Sequence, residues 1–281
     1  MRTVALFGMP LKRQHSVIMH NAAFASADID ARYELREVTE PELVEQVQQA
    51  RRENWMGFQI TAPHKQVVMQ LLDVVEPAAE AIGAVNSVEN RDGQLIGFNT
   101  DVLGFMAGLA GVTDPDLSGK SVVLAGSGGV AHAAAHGLAS AGAERIAVLD
   151  LDLESPQRLT QRFAGMTAWE PLRLDDPAAA ERLRDADVFV NATSVGMLTP
   201  GPVIDVNLLS EGTAVFDVVY IPAQTELVRQ ARARGLAAAN GDAMLVEQAA
   251  TAWTRWTGVP APVDVMRQAV APLLDDPDLQ P

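Results

Sequence analysis

Short β-branched and aromatic runs alternate along this chain with longer stretches whose apolar residues recur every three or four positions. Val4 to Phe7, Tyr33 to Val38 and Trp55 to Thr61 form one group of runs; Ser121 to Ala125, Ile146 to Leu149, Val188 to Asn191 and Ala214 to Val219 form a second. Strands alternating with helical stretches predict an α/β fold with largely parallel sheets, because parallel neighbours need a crossover between them. Between the groups, Ser87 to Gly97 reads as two short strands around Asp92-Gly93, a dipeptide suited to a tight hairpin turn. The polar, Pro-containing segment Thr113 to Lys120 precedes the second group, so a domain seam is expected near residues 105 to 120. Farther on, Asp242 can cap a helix whose Met244, Leu245, Ala249, Ala252, Trp253 and Trp256 share one face, which predicts packing against another element. The acidic, Pro-bounded tail Asp275 to Pro281 is expected to be frayed.

Composition narrows the class. With 281 residues, 48% of them hydrophobic and 20% charged, the chain can bury one large core or two modest ones. The net charge of −15 repels phosphate backbones and anionic bilayers, so neither nucleic acid nor a membrane is an expected partner. The absence of cysteine excludes disulfides, thiolate nucleophiles and Cys-ligated zinc. The opening apolar run is too short for a signal peptide, and no run reaches the roughly 18 apolar residues of a membrane span. These features together predict a cytoplasmic protein, monomer or homodimer, that acts on a small molecule.

Ser121 to Ala131 carries the clearest chemical signal: a β-branched run, a turn with Gly126, Ser127, Gly128 and Gly129, then Val130 at the start of an Ala-rich helix. Glycines there let the backbone approach a pyrophosphate, whose charge meets the amides at the helix start. The third small residue is Ala131, so the spacing departs from G-x-G-x-x-G. The next strand ends at Asp150, where a dinucleotide fold places an acid against the adenosine ribose. His132 and His136 stand four apart on the helix, but no Glu occupies position 133, and no metal is expected.

Eight short segments, taken in order, resemble the shikimate dehydrogenase family, including its quinate/shikimate branch. They are Gly8-Met9-Pro10 with Ser16 and His20 to Phe24; Thr61 to Lys65; Gly83 to Ser87; Gly97 to Asp101; Gly126 to Gly129; Asn191 to Met197; Asp217 to Tyr220; and Gly241 to Ala249. The resemblance implies a substrate-binding α/β domain over residues 1–105, a Rossmann-type dinucleotide domain over 106–240, and C-terminal helices over 241–281 that complete the first domain. It also implies that the reaction takes place in a cleft between the domains. Matched position by position, Lys65 and Asp101 resemble the catalytic pair, and Thr61, Asn86 and Gln248 resemble ligands of ring hydroxyls. Tyr220 is implied to line the same pocket, Asn191 and Thr193 to shape the nicotinamide site together with Gly196, and Gly241 to belong to the cofactor site. Oxidising a secondary alcohol requires a group that takes the hydroxyl proton as hydride leaves, a task open to Lys65 when neutral.

Four departures from the family pattern bear on specificity. Asp150-Leu151-Asp152 replaces an Asn-Arg-Thr-like segment whose Arg embraces a 2′-phosphate, which implies NAD rather than NADP as cofactor. Gln14 and Ser16 stand where the family offers two hydroxyls to the substrate carboxylate, Gln59 replaces Asn, and His64 takes a commonly aromatic position. The implied activity is reversible hydride transfer to or from a ring hydroxyl of shikimate, quinate or a related cyclic acid. A noncatalytic dinucleotide sensor, or another dehydrogenase of the same architecture, remains the alternative.

Overall fold

Arg2–Gly8 (β1), Ala31–Glu37 (β2), Gly57–Ile60 (β3), Val74–Val75 (β4), Ser87–Arg91 (β5) and Gln94–Phe98 (β6) form a mixed sheet in the order β2-β1-β3-β5-β6-β4. The computed structural model describes residues 1–11, 14–197 and 199–274, so the expectation for the tail falls outside the described residues. The pairs β1–β2, β1–β3 and β4–β6 run parallel, and β3–β5 and β5–β6 antiparallel. Asp92 and Gly93 both take positive φ, 52° and 92°, as the two-residue turn between β5 and β6 demands. The helices His15–Ser26 (α1), Glu40–Arg52 (α2) and Pro77–Ile82 (α3) connect these strands. In α2 the reciprocal Thr39–Glu42 capping box marks the start, while Leu43, Val47 and Ala50 bury one face.

The second sheet is parallel throughout. Ser121–Ala125 (β7), Arg145–Asp150 (β8), Ala168–Arg173 (β9), Val188–Asn191 (β10), Ala214–Asp217 (β11) and Ala238–Ala239 (β12) lie in the order β12-β11-β10-β7-β8-β9. Its helices are Asp101–Leu109 (α4), Gly129–Ser140 (α5), Glu154–Arg162 (α6), Pro177–Arg184 (α7) and Glu226–Ala233 (α8). One core, around Phe105, Leu124, Leu138, Val148 and Phe216, packs on one side of this sheet, and a second, around Leu183, Phe189, Val215 and Leu227, packs on the other. Strand β9 escapes the sequence pattern because it contains Pro171; as an edge strand it tolerates a residue without an N–H. The two-residue strands β4 and β12 are too short to leave a periodic signal.

Packing divides the chain into two units, Met1–Thr100 with Val246–Leu273, and Asp101–Leu245 with Leu274. The division falls just before α4, whose Phe105 and Leu109 belong to the core of the second unit. The last two helices are Asp242–Thr257 (α9) and Val263–Leu274 (α10). All six apolar positions expected on one face of α9 are buried. Within the first unit Trp256 Nε1 donates to the Val88 carbonyl at 3.0 Å, and Arg255 pairs with Glu76 and Glu89 over the Phe98 ring.

Gly57 makes that close approach possible, since a Cβ there would stand 2.1 Å from Val88 O and 2.4 Å from Trp256 Nε1. Gly57→Ala is expected to destabilise the protein by about 1–3 kcal/mol, the usual cost of forcing an added methyl into a filled site. An unchanged urea midpoint would show that the helix yields without cost.

Candidate functional site

In the first unit, the turn after β3 is held from several directions. Thr61 N–H donates to Phe7 O at 2.9 Å, His64 N–H closes the turn on Thr61 O at 3.0 Å, and the Ala62–Pro63 peptide is cis. The buried His64 ring donates from Nε2 to Val38 O at 2.7 Å, fastening the turn to the end of β2 where an aromatic ring could only pack. Lys65 is half-buried, and its carbonyl accepts the Val85 N–H at 2.9 Å. Ile60 N–H in turn donates to Asn86 O at 2.8 Å, so the turn carrying Lys65 and the segment carrying Asn86 are joined by backbone bonds on both sides.

Asn86 is buried and orders the next residues: its Oδ1 accepts Thr100 N–H and its Nδ2 donates to Thr100 Oγ1, each at 2.9 Å. Thr100 Oγ1 donates to Gln248 Oε1 at 3.4 Å, and Gln59 Nε2 donates to the same oxygen at 3.2 Å. The other end of Gln59 accepts from the Tyr33 hydroxyl at 2.6 Å. Ser16, in the first turn of α1, hydrogen-bonds to that hydroxyl. Gln14 is exposed at the residue before α1. Gln59 is therefore turned into the interior, where its length spans from Tyr33 to Gln248. Tyr33, Thr100 and His20 escaped the sequence reading, although Thr100 and His20 lie inside quoted segments. Nothing in a strand pattern distinguishes a tyrosine that packs from one that also donates.

In the second unit, the Gly-rich turn lies where the strand order reverses, because β7 is flanked by β8 on one side and β10 on the other. Loops beyond the carboxyl ends of strands at such a point are where open α/β sheets take ligands. Gly126 has φ 98° and donates to Leu149 O at 2.7 Å; a Cβ there would come within 3.0 Å of the Ala192 backbone. Gly128 and Gly129 are exposed, and a Cβ on either would meet no protein atom within 4 Å. Packing does not explain these two glycines. Bare backbone at the start of the 12-residue helix α5, with no acid in its first turn, suits the close approach of a pyrophosphate. Val130 instead packs against the core below.

Other expected cofactor residues hold the scaffold. Asn191 Nδ2 donates to Asp217 Oδ1 at 2.8 Å and to Val195 O at 3.1 Å, and its Oδ1 accepts from Thr193 N–H at 3.0 Å and from Thr193 Oγ1 at 2.7 Å. Both ends of its amide are thus used in shaping the turn after β10. Asp217, unmarked by the sequence reading beyond its segment, also accepts from Val219 N–H at 3.1 Å and Thr225 Oγ1 at 2.6 Å. Burial pushes its carboxyl up to about 6 against these three donors. Gly241 permits contact with Val218, whose carbonyl oxygen would lie 2.2 Å from an added Cβ. Tyr220, half-buried, follows β11 in the same unit, and Asp101 opens α4 there, buried. His132 and His136 lie edge-on to Phe163.

The chain has extensive relatives. A family model described as "Shikimate dehydrogenase substrate binding domain" matches residues 6–88, and one described as "Shikimate 5'-dehydrogenase C-terminal domain" matches residues 243–271. A curated protein of Symbiobacterium thermophilum, named shikimate dehydrogenase (NADP(+)), is 39% identical over 98% of this chain and 95% of its own. The solved shikimate 5-dehydrogenase of Thermus thermophilus, in complex with NADP(H) and shikimate, superposes with TM-score 0.85 at 32% identity, covering 97% of this chain and 99% of that one. Quinate dehydrogenase of Corynebacterium glutamicum in complex with NAD superposes with TM-score 0.89 at 32% identity, covering 96% and 99%.

These relatives correct the cofactor expectation. The curated proteins that match across nearly the whole chain are named for NADP(+), against the NAD preference expected from Asp150. The structure supplies a physical reason why that acid misled. Asp150 Oδ2 accepts from Ser127 Oγ and Oδ1 accepts from Leu151 N–H at 2.7 Å, so both carboxylate oxygens already serve the protein. An acid at the end of the second strand signals a ribose ligand only when its oxygens are turned outward.

Proposed function

Because this chain belongs to the shikimate dehydrogenase family, we propose that it transfers a hydride reversibly between NADP(H) and a ring hydroxyl of shikimate, with quinate as a further candidate substrate. The observation that carries this reading is the hydrogen-bonded set of Asn86 and Thr100, at strand ends beside the turn of Lys65, with Gln248 of α9. Neutral Lys65 takes the hydroxyl proton as the carbinol C–H bond breaks, leaving a ketone; in reverse its ammonium returns that proton. Asp101 partners Lys65 in this exchange. Thr61, Asn86 and Gln248 orient the ring hydroxyls, Tyr220 contributes to the same recognition, and Gln14 and Ser16 serve the carboxylate. A dinucleotide bound here would supply the hydride acceptor, its nicotinamide. Gly126, Ser127, Gly128 and Gly129 would hold its pyrophosphate, and Asn191, Thr193 and Gly241 keep the surrounding backbone in place. We assign the reaction to the cytoplasm.

The pure protein, assayed with shikimate, quinate and related hydroxy acids in the presence of NADP⁺ or NAD⁺, is expected to reduce NADP⁺ with shikimate. Dinucleotide binding without turnover of any cyclic acid would instead mark a sensor.

A further inference from the structure

We propose that the Asp217 carboxylate acts on the cofactor through its charge, favouring the binding of NADP⁺ over that of NADPH. This inference rests on the reading that the turn after β10 borders the nicotinamide.

Asp217 ends β11 opposite Asn191 at the end of β10, and it is wholly buried. The turn that follows Asn191 is open: Thr193, Val195 and Gly196 are half-buried and Ser194 is exposed. Gly196 brings the carboxylate and the turn together, because a Cβ there would stand 3.9 Å from Asp217 Oδ2. A buried carboxylate therefore lies within one residue of a surface that a ligand can reach.

Its partners leave the charge uncancelled. Oδ1 accepts from Asn191 Nδ2 at 2.8 Å and from Val219 N–H at 3.1 Å, and Oδ2 accepts from Thr225 Oγ1 at 2.6 Å, all neutral donors. Residues 188–197 and 214–225 contain no other charged side chain, and Tyr220 is their only other titratable group. On the flanking elements, Glu226 in the first turn of α8 is engaged by Arg229 and Gln230, Arg232 donates to Ala238 O, and Asp242 beyond β12 is exposed. Among the described residues no cation pairs with Asp217, and its carboxyl is shifted by burial and the three donors alone.

The two forms of the cofactor differ by one positive charge, carried on the oxidised nicotinamide ring. A fixed anion beside that ring stabilises the oxidised form and leaves the neutral reduced ring unaffected. By linkage the reverse also holds: NADP⁺ favours ionised Asp217, and NADPH does not. Burial, which pushes the carboxyl up to about 6, brings this exchange into an accessible pH range.

Dissociation constants for NADP⁺ and NADPH, measured by titration calorimetry on the wild type and Asp217→Asn, test the proposal. Their ratio cancels the phosphates that both forms carry, and comparison with the variant cancels Lys65 and Asp101. Asparagine keeps the shape, with its oxygen toward Asn191 and Val219 and its NH2 toward the Thr225 oxygen, and removes the charge. At pH 7.5 the variant is expected to lose roughly fivefold to twentyfold in NADP⁺ affinity, the size of one unit-charge interaction through partly buried protein, with NADPH affinity within about twofold. In the wild type the preference for NADP⁺ should grow about threefold from pH 5.5 to 7.5, and in the variant that growth should vanish. Equal losses for both forms, which a purely structural role would give, overturn the inference, as does an unchanged ratio. If Asp217→Asn does not fold, Thr225→Val keeps the charge but removes one donor, and should move the wild-type rise to higher pH; a rise that stays in place overturns the inference. Wild-type protein that binds neither dinucleotide defeats the proposed function as well, whereas binding of both with a charge-indifferent ratio defeats this inference alone.

Discussion

Replacing Lys65 with alanine is expected to lower kcat for shikimate oxidation by roughly 10²- to 10⁴-fold, the range supplied by a positioned acid or base. The turn that bears it is tied to Phe7, Val38 and Val85 by main-chain and histidine bonds, none of which uses the lysine side chain. Removal of the amine should therefore leave the fold in place. Cofactor affinity is expected to stay near wild type, because the Gly-rich turn lies in the other unit of the chain. Stopped-flow or steady-state rates, paired with dinucleotide titration by fluorescence, separate the outcomes. A near-normal kcat would assign the proton to another group, and a loss of dinucleotide affinity would move Lys65 into the cofactor site.

Acid is expected to weaken the first unit through His20. Its imidazole is fully buried, and desolvation lowers it from 6.5 to about 3. Above pH 6.5 the ring is neutral in folded and unfolded chains alike, and its contribution is fully present. Below that the unfolded chain gains a proton that the folded chain refuses, so stability falls progressively toward pH 3. A difference of that size corresponds to about 5 kcal/mol over the whole window. Asp217 in the second unit has the opposite sign: its carboxyl is raised from 3.8 to about 6, so the folded state holds the proton more tightly. Its ionised form costs stability at neutral pH, and about 3 kcal/mol is recovered as pH falls from 6 to 4. Urea unfolding at pH 7, 5 and 4 should show the wild type losing more stability than His20→Phe, which keeps a ring against Tyr33 and carries no titrating nitrogen. Parallel pH dependences for the two proteins would mean that His20 is protonated without cost in the folded state.

Much of the architecture is written in local pattern. The runs at Ser121 to Ala125 and Val188 to Asn191 coincide with strands at both ends. Asp92-Gly93 makes its turn because the positive φ it needs at both positions is one these two residue types accept. The apolar face of α9 was equally legible, since a period near 3.6 is a property of consecutive residues. The Gly126 turn could be picked out from its strand-turn-helix order, whereas Lys65 and Asn86 stood out only through the resemblance of their short segments to a family pattern.

Orientation and occupancy belonged to the tertiary structure. Asp150 reads as a ribose acceptor until Ser127, 23 residues away in the chain, is seen to donate to it. Gln59 reads as an oversized residue in a substrate pocket until Tyr33 and Gln248 take its two ends, the latter from 189 residues away. Pro171 argues against a strand until the sheet order puts that strand at an edge. Periodicity and turn chemistry arise between residues a few positions apart and so survive in the sequence. Which donors and acceptors surround a side chain decides which of its atoms are occupied, and only the folded chain brings those distant partners within about 3 Å of each other.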